Sequence, residues 1–260
     1  MLCVVSPAKS LDFEGAPAQA PQTRPVFADE AARLARTASR LSKAKLKAMM
    51  DLSDALTDLN YQRFKAFEAE PAPTLTKPAA HAFAGDTYIG LDFPSLPPRA
   101  QTYAQDHLAI LSGLYGVLRP YDGIQPYRLE MGRRLKTRRG ETLYDFWGKT
   151  IAAELRARAE ETGATCLVNC ASQEYFRAVD TKALGLPVIT PVFEDEKDGV
   201  AKVIGFFAKR ARGAMARFMV ETRARSAQDL HGFAWEGYAF QPDLSAPNAP
   251  VFRRSAQMAA

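Results

Sequence analysis

The stretch LYDFWGKTIAAELRARAEETGATCLVNCASQEYF, residues 143–176, decides the fold class. From Leu143 to Glu161 apolar residues recur at the spacing of an amphipathic helix, and Gly163 stands where a left-handed C-cap ends one. Thr165 to Asn169 is a short apolar run bounded by polar residues, which reads as a buried strand. Ser172 or its neighbour then caps a short helix carrying Tyr175 and Phe176. Helix, buried strand and helix in succession are the parts of an α/β layer.

Working outward, Leu2 to Val5 is a second apolar, β-branched run and the expected first strand. The Pro-, Ala- and Gln-rich stretch after Lys9, to about Pro25, reads as loop. Phe27 to Leu41, Ser42 to Met50 and Ser53 to Phe67 read as three helices, a helical subregion over 27–68. Pro71 to Pro78 is a Pro-spaced linker. Arg99 to Leu111 reads as helix, and Tyr127 to Leu135 as a strand or an extended loop. Val188 to Glu194 and Val200 to Phe207 read as strands around an Asp-Glu-Lys-Asp-Gly turn. A basic amphipathic helix is expected over Phe207 to Arg225, with closing strands at Phe233 to Phe240 and Val251 to Arg254. No regular βαβ period runs through this order. The expectation is therefore a mixed α/β fold, a single body over 1–260 with a mixed sheet flanked by helices.

Composition narrows the function. The 260 residues are 47% hydrophobic and 24% charged, ordinary values for a globular chain. No apolar run reaches the ~18 residues of a membrane span, and the N-terminal run is too short for a signal-peptide core. Three cysteines, Cys3, Cys166 and Cys170, form no CxxC pair, which points to a reducing, cytoplasmic setting without disulfides. His81, His107 and His231 are scattered, so no metal is expected. Neither GxGxxG nor GxxxxGK[ST] occurs, so no dinucleotide or P-loop cofactor is expected.

Charge is segregated. Residues 128–139 hold Arg128, Arg133, Arg134, Lys136, Arg138 and Arg139 against Glu130, a net of +5. Residues 209–225 hold Lys209, Arg210, Arg212, Arg217, Arg223 and Arg225 against Glu221, again +5. The whole chain carries only +5, so the remainder is net acidic. Such partition suits a polyanion, and Lys9, Arg128, Lys209, Arg210, Arg212 and Arg217 are the candidate nucleic-acid contacts. Arg210 and Arg217, seven apart, project from nearly the same side of their helix.

A second constellation is enzyme-like. Asn169, Ser172 and Glu174 follow one buried strand, and Ser6 and Lys9 follow another. The carboxyl ends of strands are where α/β proteins place ligands. Ser6, Lys9, Glu130 and Glu174 are the candidate catalytic residues, able to hold a phosphate or move protons. The plainer roles are caps and ion pairs. Gly113 and Gly116 read as a tight turn, with a weaker likeness to a phosphate-contacting hairpin.

Several long blocks resemble the YaaA family of peroxide-stress proteins: Ser6-Pro7-Ala8-Lys9-Ser10-Leu11-Asp12, Leu111 to Pro120, Gln125-Pro126-Tyr127-Arg128-Leu129-Glu130-Met131-Gly132, Phe146-Trp147-Gly148, Pro191-Val192-Phe193 with Asp195-Glu196-Lys197, Phe207 to Gly213, and Gly237-Tyr238. They run in family order over nearly the whole chain. The resemblance implies a bacterial cytoplasmic protein of the peroxide-stress response, an unusual α/β topology with a basic cleft, a helix-hairpin-helix-like element and DNA as partner. It implies no established enzymatic activity, and a monomer is expected. Ser53 to Phe64 is similar to the family's helix-turn-helix stretch, with Thr57-Asp58 where a small residue or glycine is expected. The alternative reading is an enzyme acting on a nucleotide or phosphorylated small molecule in the same cleft.

Overall fold

The computed structural model describes residues 1–14 and 21–255. At its centre lies a five-stranded sheet built from β1 (Leu2–Val5), β2 (Leu108–Ser112), β3 (Gly116–Leu118), β4 (Leu167–Cys170) and β5 (Val188–Ile189). The spatial order is β3-β2-β1-β4-β5. β1 runs parallel to β2 and to β4, β4 runs parallel to β5, and only β2–β3 is antiparallel. Every residue of β1, β2 and β4 is buried. Such burial suits the mostly apolar composition of these strands, since helices cover both faces of a parallel sheet; Asn169 in β4 and Ser112 at the end of β2 are the buried polar exceptions.

A second sheet, of β6 (Val192–Lys197), β7 (Val200–Lys202), β8 (Ala239–Phe240) and β9 (Val251–Ser255), has the order β7-β6-β9-β8. Asp198 (φ 54°) and Gly199 (φ 75°) turn the β6–β7 hairpin, both in the left-handed region that a tight two-residue turn requires. Phe193, Phe252 and Phe233 form the core of this sheet. The buried Asp195 and Arg254 pair within it at 2.7 Å, and Tyr238 donates to the same carboxylate at 2.9 Å. Burial and the carboxylate partner together push the Tyr238 phenol well above its ordinary range.

The principal helices are α1 (Ala28–Ser39), α2 (Lys43–Met50), α3 (Asp54–Ala66), α4 (Asp86–Leu91), α5 (Pro98–His107), α6 (Leu143–Trp147), α7 (Thr150–Thr162), α8 (Gln173–Phe176) and α9 (Gly205–Thr222), with further single turns at Ala79–Ala82 and Thr181–Leu184. The Ser42 and Ser53 hydroxyls accept from Lys45 N–H and Leu56 N–H, capping α2 and α3. A single close crossing fixes α9 against α4. Gly213 of α9 and Gly90 of α4 face each other so closely that a Cβ on Gly213 would lie 1.8 Å from the Thr87 carbonyl oxygen. A Cβ on Gly90 would lie 2.0 Å from the Arg210 carbonyl oxygen. Only glycine at both positions lets the two backbones touch.

Some segments differ from the sequence expectation for identifiable reasons. Arg99 to Leu111 is helical only to His107; Leu108-Ala109-Ile110-Leu111 is apolar on every side and becomes β2. The helix expected from Leu143 to Glu161 is broken at Gly148, which adopts φ 47° between α6 and α7. Val188 to Glu194 divides between the two sheets at Thr190-Pro191, where proline offers no N–H to continue a ladder. Tyr127 to Leu135 is an extended loop. The loop expected before Pro25 lies partly outside the described residues.

Candidate functional site

β1, β2 and β4 are parallel, so their carboxyl ends share one edge of the sheet. From central β1 the chain reaches β2 on one side and β4 on the other. The loops after β1 and β4 therefore diverge over a crevice, the place where open α/β sheets bind ligands. The two loops are laced together: Ser172 N–H donates to Ser6 Oγ at 2.8 Å, and Ser6 Oγ–H donates to Ser172 Oγ at 3.3 Å. Tyr88 OH donates to the Ser6 carbonyl at 3.2 Å, bringing α4 to the same point. Ser6 commits its hydroxyl to this tie, so it serves the site as a clamp.

A cavity of about 400 Å³ opens in the crevice. It gathers Ser6, Lys9, Glu130, Glu174, Lys209 and Arg212 from the nominated residues, together with Ser172, Cys170, Tyr175 and, from α4, Asp86 and Thr87. The volume falls in the small-ligand range of roughly 300–1,000 Å³. A cavity of this volume is too small to admit a duplex.

The carboxylates of the cavity have protein partners. Arg128 donates to Glu130 Oε1 from Nε and Nη2 at 3.2 and 3.1 Å. Gly132 N–H donates to Glu174 Oε1 at 2.9 Å. Asp86 lies 3.7 Å from Arg210 Nε. The cations of α9 differ. Among the described residues, neither Lys209 nor Arg212 pairs with a carboxylate. Burial pushes the Arg212 guanidinium below its ordinary value, the nearby Cys170 sulfur opposing. The free positive charge of the cavity thus sits on one helix, held in place by the Gly90–Gly213 crossing.

The remaining nominated residues lie elsewhere. Arg128 lines a narrow adjoining cleft with Lys9, its guanidinium turned to Glu130. Arg210 is stacked on Phe206, 4.3 Å from ring to guanidinium, and faces Asp86. Arg217 fastens α9 to the end of α4: its Nη1 donates to the carbonyls of Leu91 (3.2 Å) and Asp92 (2.9 Å) and to Ser95 Oγ (2.8 Å), and its Nη2 pairs with Glu221 (2.9 Å). Arg210 and Arg217 do share a side of α9, and that side is packed on α4. Asn169 takes a structural position, its Oδ1 accepting from Ala171 N–H at 3.0 Å. Asp86 and Thr87 were not singled out from the sequence. Their only signal was the long-range glycine contact, which leaves no local mark.

Beyond the cavity, Arg134 and Arg138 are exposed on the loop that carries Glu130, while Lys136 pairs with Glu141 and Arg139 with Glu30. Gly113 is a structural turn: its carbonyl accepts from Trp147 Nε1 at 3.0 Å. α2 and α3 are joined by Asp51 to Ser53 without a glycine, Asp51 taking φ 54°. Lys43 and Lys47 of that pair are engaged by Asp58 and Asp54, each at 2.6 Å. All three cysteines are buried. Among the described residues, no helix is long and apolar enough to cross a membrane, and no group of three His, Cys, Asp or Glu stands together as metal ligands.

Known proteins resemble this chain along nearly its whole length. A family model described as "Peroxide stress protein YaaA" matches residues 1–244. A UPF0246 protein of Roseobacter denitrificans is 56% identical over 256 residues, covering 98% of both chains. One from Ruegeria pomeroyi is 56% identical over 257 residues, 99% of this chain and 100% of the relative. One from Caulobacter vibrioides is 53% identical over 254 residues, 98% and 99% of the two chains.

Proposed function

Because the chain belongs to the YaaA family of peroxide-stress proteins, we propose that it serves that response by acting on a nucleotide or another phosphorylated small molecule in the cavity between β1, β4 and α9. The observation that carries this reading is the pair Lys209 and Arg212, which line a cavity of small-molecule size and form no ion pair among the described residues, while the carboxylates of the same cavity, Glu130, Glu174 and Asp86, are engaged by other groups. A half-buried guanidinium without an anion is costly unless a ligand supplies one. Phosphate esters match the fork of Arg212 and the compact charge of Lys209.

The test is calorimetric titration of the full chain with inorganic phosphate and adenosine 5′-monophosphate. Binding of both is expected, weakened at least about tenfold by Arg212→Gln, as loss of a charge-assisted hydrogen bond implies. Absence of any binding at millimolar concentrations sinks the reading.

A second reading, DNA bound outside the cavity, is favoured by a separate observation. Arg134 and Arg138 are exposed and without carboxylate partners among the described residues, on the loop that forms one cavity wall. Lys9 and Lys209 are exposed at the cavity as well. Duplex DNA laid over this face has phosphate contacts available, and its affinity then falls steeply with salt. If low-salt binding of a duplex is undetectable, or is unchanged in an Arg134→Glu/Arg138→Glu variant, this reading is wrong.

A further inference from the structure

We infer that the ligand of the cavity carries two phosphoryl groups, as a diphosphate or a bisphosphate does, the second of them taken by Lys9. This rests on the small-phosphate reading above and specifies the substrate class of that same site.

Positive charge stands on two walls of the cavity. On α9 are Lys209 and Arg212. On the wall formed by the loop after β1 and by residues 128–133, three cations converge on one carboxylate. Arg128 Nη2 lies 3.1 Å and Lys9 Nζ 3.8 Å from Glu130 Oε1, and Arg133 Nε lies 3.7 Å from Oε2. One carboxylate offsets one of the three, so this wall keeps a surplus of two. Asp86 is matched by Arg210, and Glu174 accepts from the Gly132 N–H. In and directly behind the cavity lining, six cations thus face three carboxylates. A phosphate monoester brings about −2 at neutral pH. A second phosphoryl group brings roughly one charge more, and the excess of the walls is then met.

Lys9 is the member of the surplus that can turn to a ligand. Its side chain is 65% exposed, and at 3.8 Å its ammonium is beyond hydrogen-bond reach of Glu130. Arg128 already donates twice to the same Glu130 oxygen, from Nε and Nη2. A lysine serving only that carboxylate would be redundant, and it would be repelled by the arginine beside it. The base of Lys9 is nonetheless held at the cavity. Ala8 packs on the start of α4 so closely that a Cβ on Gly85 would lie 3.2 Å from Ala8 Cβ. Tyr88 OH donates to the Ser6 carbonyl at 3.2 Å. The backbone is thus fixed while the flexible stem leaves three N–H donors to be placed. Arg212 and Lys209 take one phosphoryl group, and the ammonium of Lys9 takes the other.

The test is calorimetry on the full chain with adenosine 5′-monophosphate, adenosine 5′-diphosphate and adenosine 3′,5′-bisphosphate. At least one of the doubly phosphorylated compounds is expected to bind at least about tenfold more tightly than the monophosphate, as an added charge-assisted contact implies. A gain with the diphosphate assigns adjacent phosphoryl groups, and a gain with the bisphosphate assigns separated ones. Lys9→Gln is expected to bring that tenfold ratio close to one. Its exposed side chain makes the fold insensitive to the change. Lys136→Gln removes the same charge from the same face, at an exposed lysine paired with Glu141 outside the cavity, and is expected to keep the ratio. Equal binding of all three compounds by the wild-type chain overturns the inference. So does a ratio that survives in Lys9→Gln, or one that falls as far in Lys136→Gln, which would mark a response to overall charge. Failure of the wild-type chain to bind any of the three, or inorganic phosphate, overturns instead the small-phosphate reading on which the inference stands.

Discussion

Two segments of this chain carry the same formal charge, and the fold uses them in opposite ways. In the loop 128–139, Arg128 and Arg133 are drawn inward to Glu130 while Arg134 and Arg138 remain exposed. In α9 the partition is reversed. Arg210 and Arg217 are consumed in packing against α4, and Lys209 and Arg212 keep their charge for the cavity. A net of +5 is therefore not a property that binds anything. What remains available to an anion is the subset of cations that the fold leaves without carboxylates, and that subset is chosen by which neighbour each helix or loop face meets. Helical spacing correctly placed Arg210 and Arg217 on one side of α9; the identity of the neighbour on that side was decided by residues more than a hundred positions away.

The strongest way to break this comparison is to move α9. Gly213→Ala forces a methyl to within 1.8 Å of the Thr87 carbonyl unless the helices separate. Overpacking of this kind costs about 1–3 kcal/mol. The expected result is a lower urea midpoint, with weakened phosphate binding because Lys209 and Arg212 are carried away from the cavity. A variant that keeps both its midpoint and its phosphate affinity would show that the glycine contact does not position the site.

The same contact marks the limit of what the sequence reveals. The apolar run Leu2–Val5 identifies its own strand, because total burial in a parallel sheet leaves a continuous apolar signature, and the expected strand Thr165 to Asn169 overlaps Leu167–Cys170 despite the polar Asn169. Ser42 and Ser53 announce helix starts, and Asp198-Gly199 announces a hairpin, because caps and turns are local chemistry. The break at Gly148 was hidden, since the apolar spacing of α6 and α7 continues across it. The site was half legible. Ser6, Lys9, Ser172 and Glu174 follow buried strands and could be nominated from that position alone. Their convergence depends on β1 pairing with β4, and the hydrogen bond between Ser6 and Ser172 spans 166 positions. Nothing local in the sequence encodes a pairing of that separation.

Neutral replacement of single arginines sharpens the comparison at smaller scale. Arg217→Met removes a guanidinium bonded to two backbone carbonyls and a serine, so a loss of about 1–3 kcal/mol in urea unfolding is expected. Phosphate binding should be unaffected. Among the described residues Arg134 makes no hydrogen bond or ion pair, so Arg134→Met should change stability by less than about 0.5 kcal/mol. If duplex DNA binds this face, Arg134→Met lowers the magnitude of the slope of log affinity against log salt by about one. Interchanged outcomes, with Arg217 controlling binding and Arg134 controlling stability, would reverse the assignment of roles.

The smallest effect concerns a third basic group, Lys43, Lys45 and Lys47 on α2. Its side chains are exposed, yet Lys43 and Lys47 are held by Asp58 and Asp54 of α3. The hydrogen bond and charge of Lys47 hold the Asp54 carboxyl below the usual carboxylate range. A carboxylate whose folded pKa is lowered contributes stability that is present above its unfolded pKa and is lost as pH falls through the folded value. For so exposed a pair that contribution is screened to near nothing, so unfolding is the wrong measurement. Carbon-detected NMR titration of Asp54 is the right one. Its midpoint should lie below that of an isolated aspartate and should return upward in Lys47→Ala. An unmoved midpoint would mean that Lys47 is free in solution. The group on α2 would then belong with Arg134 and Arg138 as charge available to a polyanion, and not with Arg217 as charge neutralised within the fold.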